Sequence, residues 1–339
     1  MKRVTIKDIA ALAGVNISTV SRALKDHPDI GQTLRDKIKQ LAHELNYHPN
    51  MMAVQLRRQK SRTIGLVIPD TNTFFIPSVI KGISNTVKQH GYRLLVLQSG
   101  ESFGQEIENV HICNEYGVEG LLISLTNKTE HLDHLDAIQE MGIPVVLVDK
   151  ILENTHFDSV TIDDIEATNT CLDYLLHTGC KRILGVFGNP KMNITLKRLN
   201  GFTTKIQANQ IKGVEARHAF ADDTFAAWKA VENLFQDFKP DGIFAMSDEI
   251  IAGVIPALKN LGVKIPEDCA VIGISDGYLP RILDPEVTFL HHDGFNLGKM
   301  AAEQLFCRLT QTVEQVGQMA LVFPTTLIVN KSTHLLQNE

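Results

Sequence analysis

The sequence lacks the marks of a secreted, membrane-spanning or disulfide-stapled protein. Met1 is followed by Lys2 and Arg3 rather than by the apolar run of a signal peptide, and no stretch of about 20 apolar residues could span a bilayer. The five cysteines are scattered, odd in number and free of C-x-x-C spacing, which argues against a disulfide framework and a zinc site. We therefore expect a cytoplasmic protein with no membrane partner and with free, mostly buried thiols.

Motifs of catalysis are missing as well. The sequence has no G-x-G-x-x-G, Walker A, G-x-S-x-G or H-E-x-x-H motif. His131-x-x-His134 and His291-His292-Asp293 each lack further ligands at suitable spacing, so no metal site is predicted. We expect no cofactor and no catalytic residue. An enzyme on a doubly wound fold and a secreted sugar-binding protein are the alternative interpretations.

What the sequence does have is an uneven distribution of charge. Residues 1–62 contain 12 Lys and Arg against 5 Asp and Glu, a balance of +7, whereas 21 against 34 leave −13 for residues 63–339. A basic arm beside an acidic body predicts a polyanion as the partner of the first segment and a different task for the second.

The basic arm has the apolar spacing of three short helices. The predicted helices are Ile6–Ala13, Ile17 to about Lys25, and about Gln32 to Leu45. The pattern Thr5-x-x-Asp8 caps the first helix, Gly14 ends it, and Asn16 caps the second. Two short helices joined by a three-residue turn with a glycine are typical of a helix-turn-helix.

The second helix would enter the major groove with its outward N-terminal residues, which are Ile17, Ser18, Ser21 and Arg22. Arg22 can form a bidentate pair with guanine, Ser18 can bond to several base edges, and Ile17 offers apolar contact. We expect sequence specificity to rest chiefly on Arg22. The alternative is that Arg22 is a solvated charge that contacts phosphate.

Pro49 ends the headpiece, and Asn50 can cap a short hinge, Met51–Arg57, that is expected to fold only with a partner. From Thr63, buried strands alternate with amphipathic helices, which is the pattern of parallel βαβ units. The predicted strands are Thr63–Pro69, Tyr92–Gln98, Gly120–Ser124, Val145–Asp149, Val160–Asp163, Arg182–Gly188, Gly242–Ser247 and Ala270–Ser275.

Eight strands are too many for one compact lobe, so the sequence predicts two lobes. The chain is expected to cross between them near Asp163, His291–Asp293 and Phe323. The predicted domains are a headpiece at 1–48, a hinge at 49–62 and a ligand-binding body at 63–339, whose N-lobe is about 63–162 and 292–322 and whose C-lobe is about 163–291 and 323–339. Ligands bind outside the carboxyl ends of such strands, so the cleft is the expected site. The polar residues at strand ends are Asp70, Ser99, Ser124, Asp149, Asp164, Asn189, Asp248, Ser275 and Asp276.

The headpiece resembles the lactose/galactose repressor (LacI/GalR) family over a long, gapless signature. Its residues are Val4-Thr5-Ile6-Lys7-Asp8-Ile9-Ala10, Ala13-Gly14-Val15-Asn16-Ile17-Ser18-Thr19-Val20-Ser21-Arg22-Ala23-Leu24, Leu45-Asn46-Tyr47-His48-Pro49-Asn50 and Ala53-Val54-Gln55-Leu56-Arg57. The body is similar through weaker motifs, which are Pro69-x-x-x-x-Phe74-Phe75, Gly142-Ile143-Pro144-Val145-Val146, Gly273-Ile274-Ser275-Asp276 and the Thr288–Gly298 stretch. The resemblance implies a helix-turn-helix headpiece and an α/β two-lobed effector domain with the periplasmic-binding-protein (type I) fold.

The resemblance also implies a transcriptional regulator that binds double-stranded, pseudo-palindromic operator DNA as a homodimer. In the family a hinge leucine wedges into the minor groove and kinks the duplex, and Leu56 is the matching residue; the alternative is that Leu56 packs on the body. Repression is the commoner activity in the family, and activation remains open. The expected DNA contacts are Thr5, Asn16, Ile17, Ser18, Thr19, Ser21, Arg22, Asn50, Ala53, Leu56 and Arg57.

For the body, the resemblance implies that residues 63–339 are the effector-binding and dimerisation domain. It also implies a small-molecule effector, expected to be a carbohydrate or its derivative, bound between the lobes. The matching residues are Phe74, Phe75, Asp149, Arg198, Asp248, Ser275, Asp276 and His292. Alternatives stay open, since one of the phenylalanines can be a core residue, Asp248 can cap a helix, and Arg198 can be a surface charge. Ser247, Ser275 and His292 depart from the family's usual Asn, Asp and Gln, so the identity of the effector is open.

Overall fold

A computed structural model describes residues 4–47, 61–152, 154–209, 213–311 and 317–333. The chain divides into two compact units, Met1–Ser61 and Arg62–Glu339. No helix in the described ranges is long and apolar enough to cross a membrane.

The first unit contains the three predicted helices, which are α1 (Ile6–Ala13), α2 (Ile17–Ala23) and α3 (Gln32–Glu44). The predicted cap of α1 is confirmed, because the Thr5 N–H and hydroxyl both donate to the Asp8 carboxylate at 2.7 Å. Gly14 ends α1 with a φ of 69°, a left-handed conformation that glycine adopts without strain. The three helices pack around a small apolar core. Its buried residues are Ile9, Ala10, Ala13, Val20, Ala23, Ile30, Ile38 and Ala42.

The second unit contains two six-stranded sheets. The first has the order β11-β5-β4-β3-β1-β2, and the second has the order β12-β10-β9-β8-β6-β7. All neighbours are parallel except β10 and β12. The strands of the first sheet are β1 (Thr63–Ile68), β2 (Arg93–Gln98), β3 (Gly120–Ile123), β4 (Val145–Val148), β5 (Asp158–Thr161) and β11 (Ala320–Val322). Those of the second are β6 (Arg182–Phe187), β7 (Glu215–Phe220), β8 (Gly242–Ala245), β9 (Ala270–Ser275), β10 (Thr288–His291) and β12 (Thr326–Ile328).

Helices cover both faces of the first sheet. They are α4 (Ile76–Gln89), α5 (Phe103–Glu115), α6 (Asp133–Glu140) and α12 (Gly294–Thr310). The second sheet packs with α7 (Asp164–His177), α8 (Asn193–Asn209), α9 (Thr224–Phe238), α10 (Asp248–Asn260) and the short α11 (Tyr278–Ile282). Since β10 belongs to the second sheet while α12 packs on β3, β4 and β5, the chain changes lobe between them. It also does so between β5 and α7 and between β11 and β12.

Helices α4 and α12 approach each other through glycine. A Cβ atom added at Gly82 would lie 2.0 Å from the carbonyl oxygen of Phe295, and one at Gly298 would lie 2.3 Å from that of Val79. The two backbones therefore touch at positions where no side chain fits.

All eight predicted strands are present, and four strands were not predicted. β5 begins two residues earlier than expected and ends at Thr161. The missed strands are β7, β10, β11 and β12. β7, β11 and β12 lie at sheet edges and contain only exposed and partly covered residues, so they lack the continuous apolar run of a buried strand. The thiol prediction is confirmed, since Cys113, Cys171, Cys180 and Cys269 are free and buried and Cys307 is free and exposed.

Candidate functional site

The solvent face of α2 carries the residues expected to read DNA. Val20 and Ala23 face the core of the first unit, which leaves positions 17, 18, 21 and 22 on the opposite side of this two-turn helix. Asn16, Ile17, Ser18 and Arg22 are exposed, and Thr19 and Ser21 are half-buried. An exposed apolar Ile17 beside hydroxyls and a guanidinium offers a mixed surface that suits base edges.

Arg22 and Arg35 differ in the contacts that they make within the headpiece. The Arg22 guanidinium reaches the Asp29 carboxylate only at 3.9 Å, and both side chains are largely exposed. Arg35, by contrast, donates to the carbonyl oxygens of Ile30 at 2.7 Å and His27 at 3.3 Å. Arg35 therefore holds the loop before α3, whereas Arg22 is available to a partner.

Thr5, the remaining headpiece prediction, is exposed at the start of α1 and engages Asp8. The predicted hinge contacts Asn50, Ala53, Leu56 and Arg57 lie outside the described residues.

In the second unit, the carboxyl ends of β8, β9 and β10 carry a chain of bonded polar groups. The Ser275 hydroxyl donates to the Asp248 carboxylate at 2.5 Å, and it accepts the N–H of Gly277 at 2.8 Å. Burial raises the pKa of Asp248 to about 7 despite the Ser275 hydrogen bond. Ser247, and not Asp248, is the N-cap of α10, so the alternative role of Asp248 as a cap is wrong.

Arg198 is the largest polar side chain in this region and is 2% exposed, so it is not a surface charge. Its Nε donates to the Asp164 carboxylate at 2.8 Å, and its Nη1 donates to the carbonyl oxygen of Met246. Its Nη2 is buried and has no hydrogen-bond partner in the described structure. A buried donor without a partner is costly, and a bound ligand can satisfy it.

His292 is a second buried group with an unused polar atom. Its ring lies 3.9 Å from the Phe75 ring, and its Nδ1 has no partner among the described residues. Burial, the nearby Arg198 cation and His291 lower the pKa of His292 well below its ordinary value. The imidazole is therefore neutral at physiological pH. Phe75 is partly buried, whereas Phe74 is 37% exposed.

Several hydrogen bonds join the two lobes within the described residues. The Ser78 hydroxyl of α4 donates to the Asp276 carboxylate at 2.5 Å, and the Phe74 N–H donates to Glu249 of α10 at 3.2 Å. At the other end of the cleft the Asn193 amide donates to the carbonyl oxygen of Ile151 at 3.2 Å. Burial raises the pKa of Asp276 although Ser78 and the Gly294 N–H both bond to it.

A cavity of about 180 Å³ opens in the cleft beside the contact between Asn193 and Ile151. Asp149 is the one predicted effector residue among those that line it, and Arg198 stands behind the lining residue Asp164. Burial raises the pKa of Asp149 to about 6, with Asp164 raising it further and Lys150 and Arg198 opposing. The lining residues are Leu125, Thr126, Asn127, Thr129, Asp149, Lys150, Ile151, Leu152, Thr161, Ile162, Asp164, Lys191, Asn193, Ile194, Leu196 and Lys197.

Two carboxylates, the buried Glu106 and the half-buried Glu101, bond to the loop that lines this cavity. Glu106 is fully buried, accepts the Thr126 N–H at 2.6 Å and the Thr129 hydroxyl at 2.9 Å, and lies 3.0 Å from His134. Glu101 accepts the Asn127 N–H at 2.8 Å. The His131–His134 pair thus has separate partners, since His131 lies 3.3 Å from Asp133. Within the described ranges no three His, Cys, Asp or Glu side chains form a group that could hold a metal ion.

Comparison with known proteins decides the family. The model of the periplasmic binding proteins and sugar binding domain of the LacI family matches residues 61–313, and that of the bacterial regulatory proteins of the lacI family matches residues 5–50. The chain belongs to the LacI family. It is therefore a DNA-binding transcriptional regulator, with a helix-turn-helix headpiece and a two-lobed α/β domain of the periplasmic-binding type.

LacI-family relatives match nearly the whole chain. The ribose operon repressor of Bacillus subtilis is 28% identical over 97% of this chain and 98% of its own length. The transcriptional repressor PurR of Vibrio cholerae is 29% identical over 90% and 91%. The crystal structure of the lac repressor dimer bound to operator and the anti-inducer ONPF superimposes with a TM-score of 0.86 at 22% identity, covering 98% of this chain and 99% of that one.

Proposed function

We propose that this LacI-family protein represses transcription by binding a pseudo-palindromic operator as a homodimer, under the control of a carbohydrate-like effector in the interlobe cleft. The proposed division of labour assigns residues 1–48 to base reading, 49–62 to a hinge in the minor groove, and 63–339 to effector binding and dimerisation. The protein acts on chromosomal DNA in the cytoplasm, at the nucleoid, and works by binding rather than by catalysis, as its regulator relatives do.

The exposed face of α2 is the observation that carries the DNA-binding part. Arg22 projects from this face with only a distant carboxylate as partner. A guanidinium that pairs with guanine N7 and O6 discriminates against the wrong base by about 1–3 kcal/mol. Ser18 and Ile17 are exposed on the same helix and offer a hydroxyl and an apolar contact beside it.

The test selects bound sequences from a randomised duplex library with the full-length protein. We expect two inverted half-sites, and we expect Arg22→Ala to lose the preference at one base pair in each half-site and to weaken binding roughly 10-fold or more. Lys25→Ala is the matched control, because it removes the same charge from the end of α2 and should leave base preference unchanged. Recovery of the wild-type consensus with undiminished affinity by Arg22→Ala would contradict the proposed reading.

Two unsatisfied buried atoms support the effector part. Arg198 Nη2 and His292 Nδ1 lack partners within the described structure, and the cation on one lowers the pKa of the other. A sugar hydroxyl can accept from the first and donate to the second. We propose that Phe74, Phe75, Asp149, Arg198, Asp248, Ser275, Asp276 and His292 respond to the effector, and that lobe closure is coupled to folding of the hinge.

The homodimer has a candidate surface on the second lobe. Tyr278 and Ile282 of α11 are 68% and 62% exposed, and large apolar side chains exposed together mark interaction sites. We expect Ile282→Asp to shift the protein toward monomers in sedimentation velocity. Met141→Asp is the control, since Met141 is 63% exposed at the end of α6 on the other lobe. A variant dimer as tight as wild type would exclude this surface.

A further inference from the structure

The cavity in the cleft has an unusual balance of charge. Three lysines line it, Lys150, Lys191 and Lys197, together with the carboxylates of Asp149 and Asp164. Two of these charged groups, Asp164 and Lys150, are already paired with neighbouring side chains and are not available to a ligand. Asp164 accepts the Arg198 Nε at 2.8 Å, and the Lys150 ammonium lies 2.9 Å from Glu101.

The two remaining lysines are Lys191 and Lys197. Neither Lys191 nor Lys197 has a carboxylate within 4.0 Å in the described structure, although one is exposed and the other half-buried. Lys191 precedes α8 by two residues and Lys197 lies in its second turn, near the helix end whose dipole favours negative charge. Arg198, on the same helix, adds a buried Nη2 without a partner next to Asp164. Positive charge therefore gathers on the second-lobe side of the cavity.

The first-lobe side has a different chemistry. Asp149 and Asn127 line it with a carboxylate and an amide, which are groups that bond sugar hydroxyls, while the Thr126 and Thr129 hydroxyls bond to each other at 3.0 Å. Burial raises the pKa of Asp149, and the Lys150 and Arg198 cations offset part of its charge. The volume of about 180 Å³ suits one ring, because a cavity of about 150 Å³ holds benzene.

We propose that the effector is a monosaccharide that carries an anionic group, a phosphate or a carboxylate. Its hydroxyls bond to the first-lobe residues, and its anionic group binds Lys191 and Lys197. This proposal rests on the proposed function, since it takes the cleft as the effector site.

The experiment measures the melting temperature of the full-length protein with matched ligands at constant ionic strength. The pairs are glucose against glucose 6-phosphate, glucose against glucuronate and gluconate, and ribose against ribose 5-phosphate, with inorganic phosphate alone as a further arm. We expect an anionic member to raise the melting temperature in a concentration-dependent way while its neutral partner does not. The phosphate and carboxylate arms distinguish the two sources of the anion.

Variants locate the binding. Lys191→Gln combined with Lys197→Gln should raise the Kd of the anionic sugar at least 10-fold, whereas Lys181→Gln, at the opposite end of β6, should not change it. Stabilisation by neutral sugars only overturns this proposal but supports the proposed function, and loss of that stabilisation in Arg198→Met would confirm the cleft. Equal stabilisation by inorganic phosphate and sugar phosphates, or none by any anionic sugar, overturns the anionic monosaccharide. Stabilisation by nucleobases alone would count against the carbohydrate effector as well.

Discussion

Asp248 is a carboxylic acid that the fold has almost removed from water, at 4% exposure. Because its pKa is about 7 in the folded state against 3.8 as the ordinary value, the folded protein holds a proton that the unfolded chain releases between these two pH values. A folded state that binds more protons loses stability as the pH rises. The contribution of Asp248 therefore falls from about pH 4 to about pH 7 and is constant above.

Asp248→Asn removes this titration. We expect the melting temperature of the variant, relative to wild type, to increase as the pH rises from 5 to 8, by an amount that reflects a few kcal/mol at most. The measurement is calorimetry at several pH values. Exposed Asp222→Asn serves as the control, and a difference between Asp248→Asn and wild type that stays constant with pH would contradict the assignment.

The cysteines give a second prediction at this scale. Burial raises the pKa of Cys113 and Cys171 to about 12 and that of Cys180 to about 11, so their reactive thiolates are scarce as well as inaccessible. We expect one thiol per chain to react rapidly with a thiol reagent in the native protein and five after unfolding. Cys307→Ser should abolish the rapid phase; rapid labelling of a second thiol would show that a buried site opens.

Individual site residues could be predicted from the sequence where they belong to a recognisable motif. Asp149 was reached through resemblance and its place at a strand end, and it lines the cavity. Arg198 was reached through resemblance and bonds to the lining residue Asp164. Lys191, Lys197 and Asn193 were missed, because they precede or begin a helix after a loop and follow no strand-end pattern. Their role depends on how the two lobes face each other, which no local pattern contains.

At the scale of elements, the contact between α4 and α12 allows a sharp test. Gly82→Ala would place a methyl group 2.0 Å from a backbone carbonyl that cannot rotate away, so the helices must separate. We expect a loss of roughly 1–3 kcal/mol or more in the free energy of unfolding, measured with urea on the second unit's transition.

Gly104→Ala is the matched control for this change. Gly104 lies in α5 with no atom within 4 Å of an added Cβ. Alanine favours helix over glycine by about 1 kcal/mol, so this variant should be slightly stabilised. If both variants behaved alike, the close approach of the backbones would not be real.

The strands that are buried at every position, such as β9, were predicted because they form continuous apolar runs. Helix α1 was predicted because Asp8 and Gly14 mark its two ends. β7 was not predicted because Glu215, Arg217 and His218 interrupt the apolar pattern of this edge strand. The apolar pattern of a sequence indicates which strands are buried. An edge strand is held mainly by backbone hydrogen bonds, so this pattern does not indicate it.

For the whole molecule, the charge balance of +7 in residues 1–62 against −13 elsewhere predicts a steep dependence of DNA affinity on salt. We expect the logarithm of affinity to fall linearly with the logarithm of salt concentration. Replacing Arg57 and Arg58 by alanine should reduce that slope by about 2, at about 1 per lost phosphate contact. Fluorescence anisotropy at four salt concentrations measures it. Lys181→Ala should leave the slope unchanged, and an affinity insensitive to salt would count against binding through phosphates.

The three passages of the chain between lobes also decide how the protein can be cut. Neither lobe is a continuous stretch of sequence, since the first sheet takes β11 and the covering helix α12 from beyond β10 of the second. A single break in the backbone at one passage leaves the lobes tethered by the other two. A gene fragment that ends at residue 161 would omit α12 and expose the apolar face of its sheet. The unit that can be excised, transplanted or fused to another headpiece is the pair of lobes together.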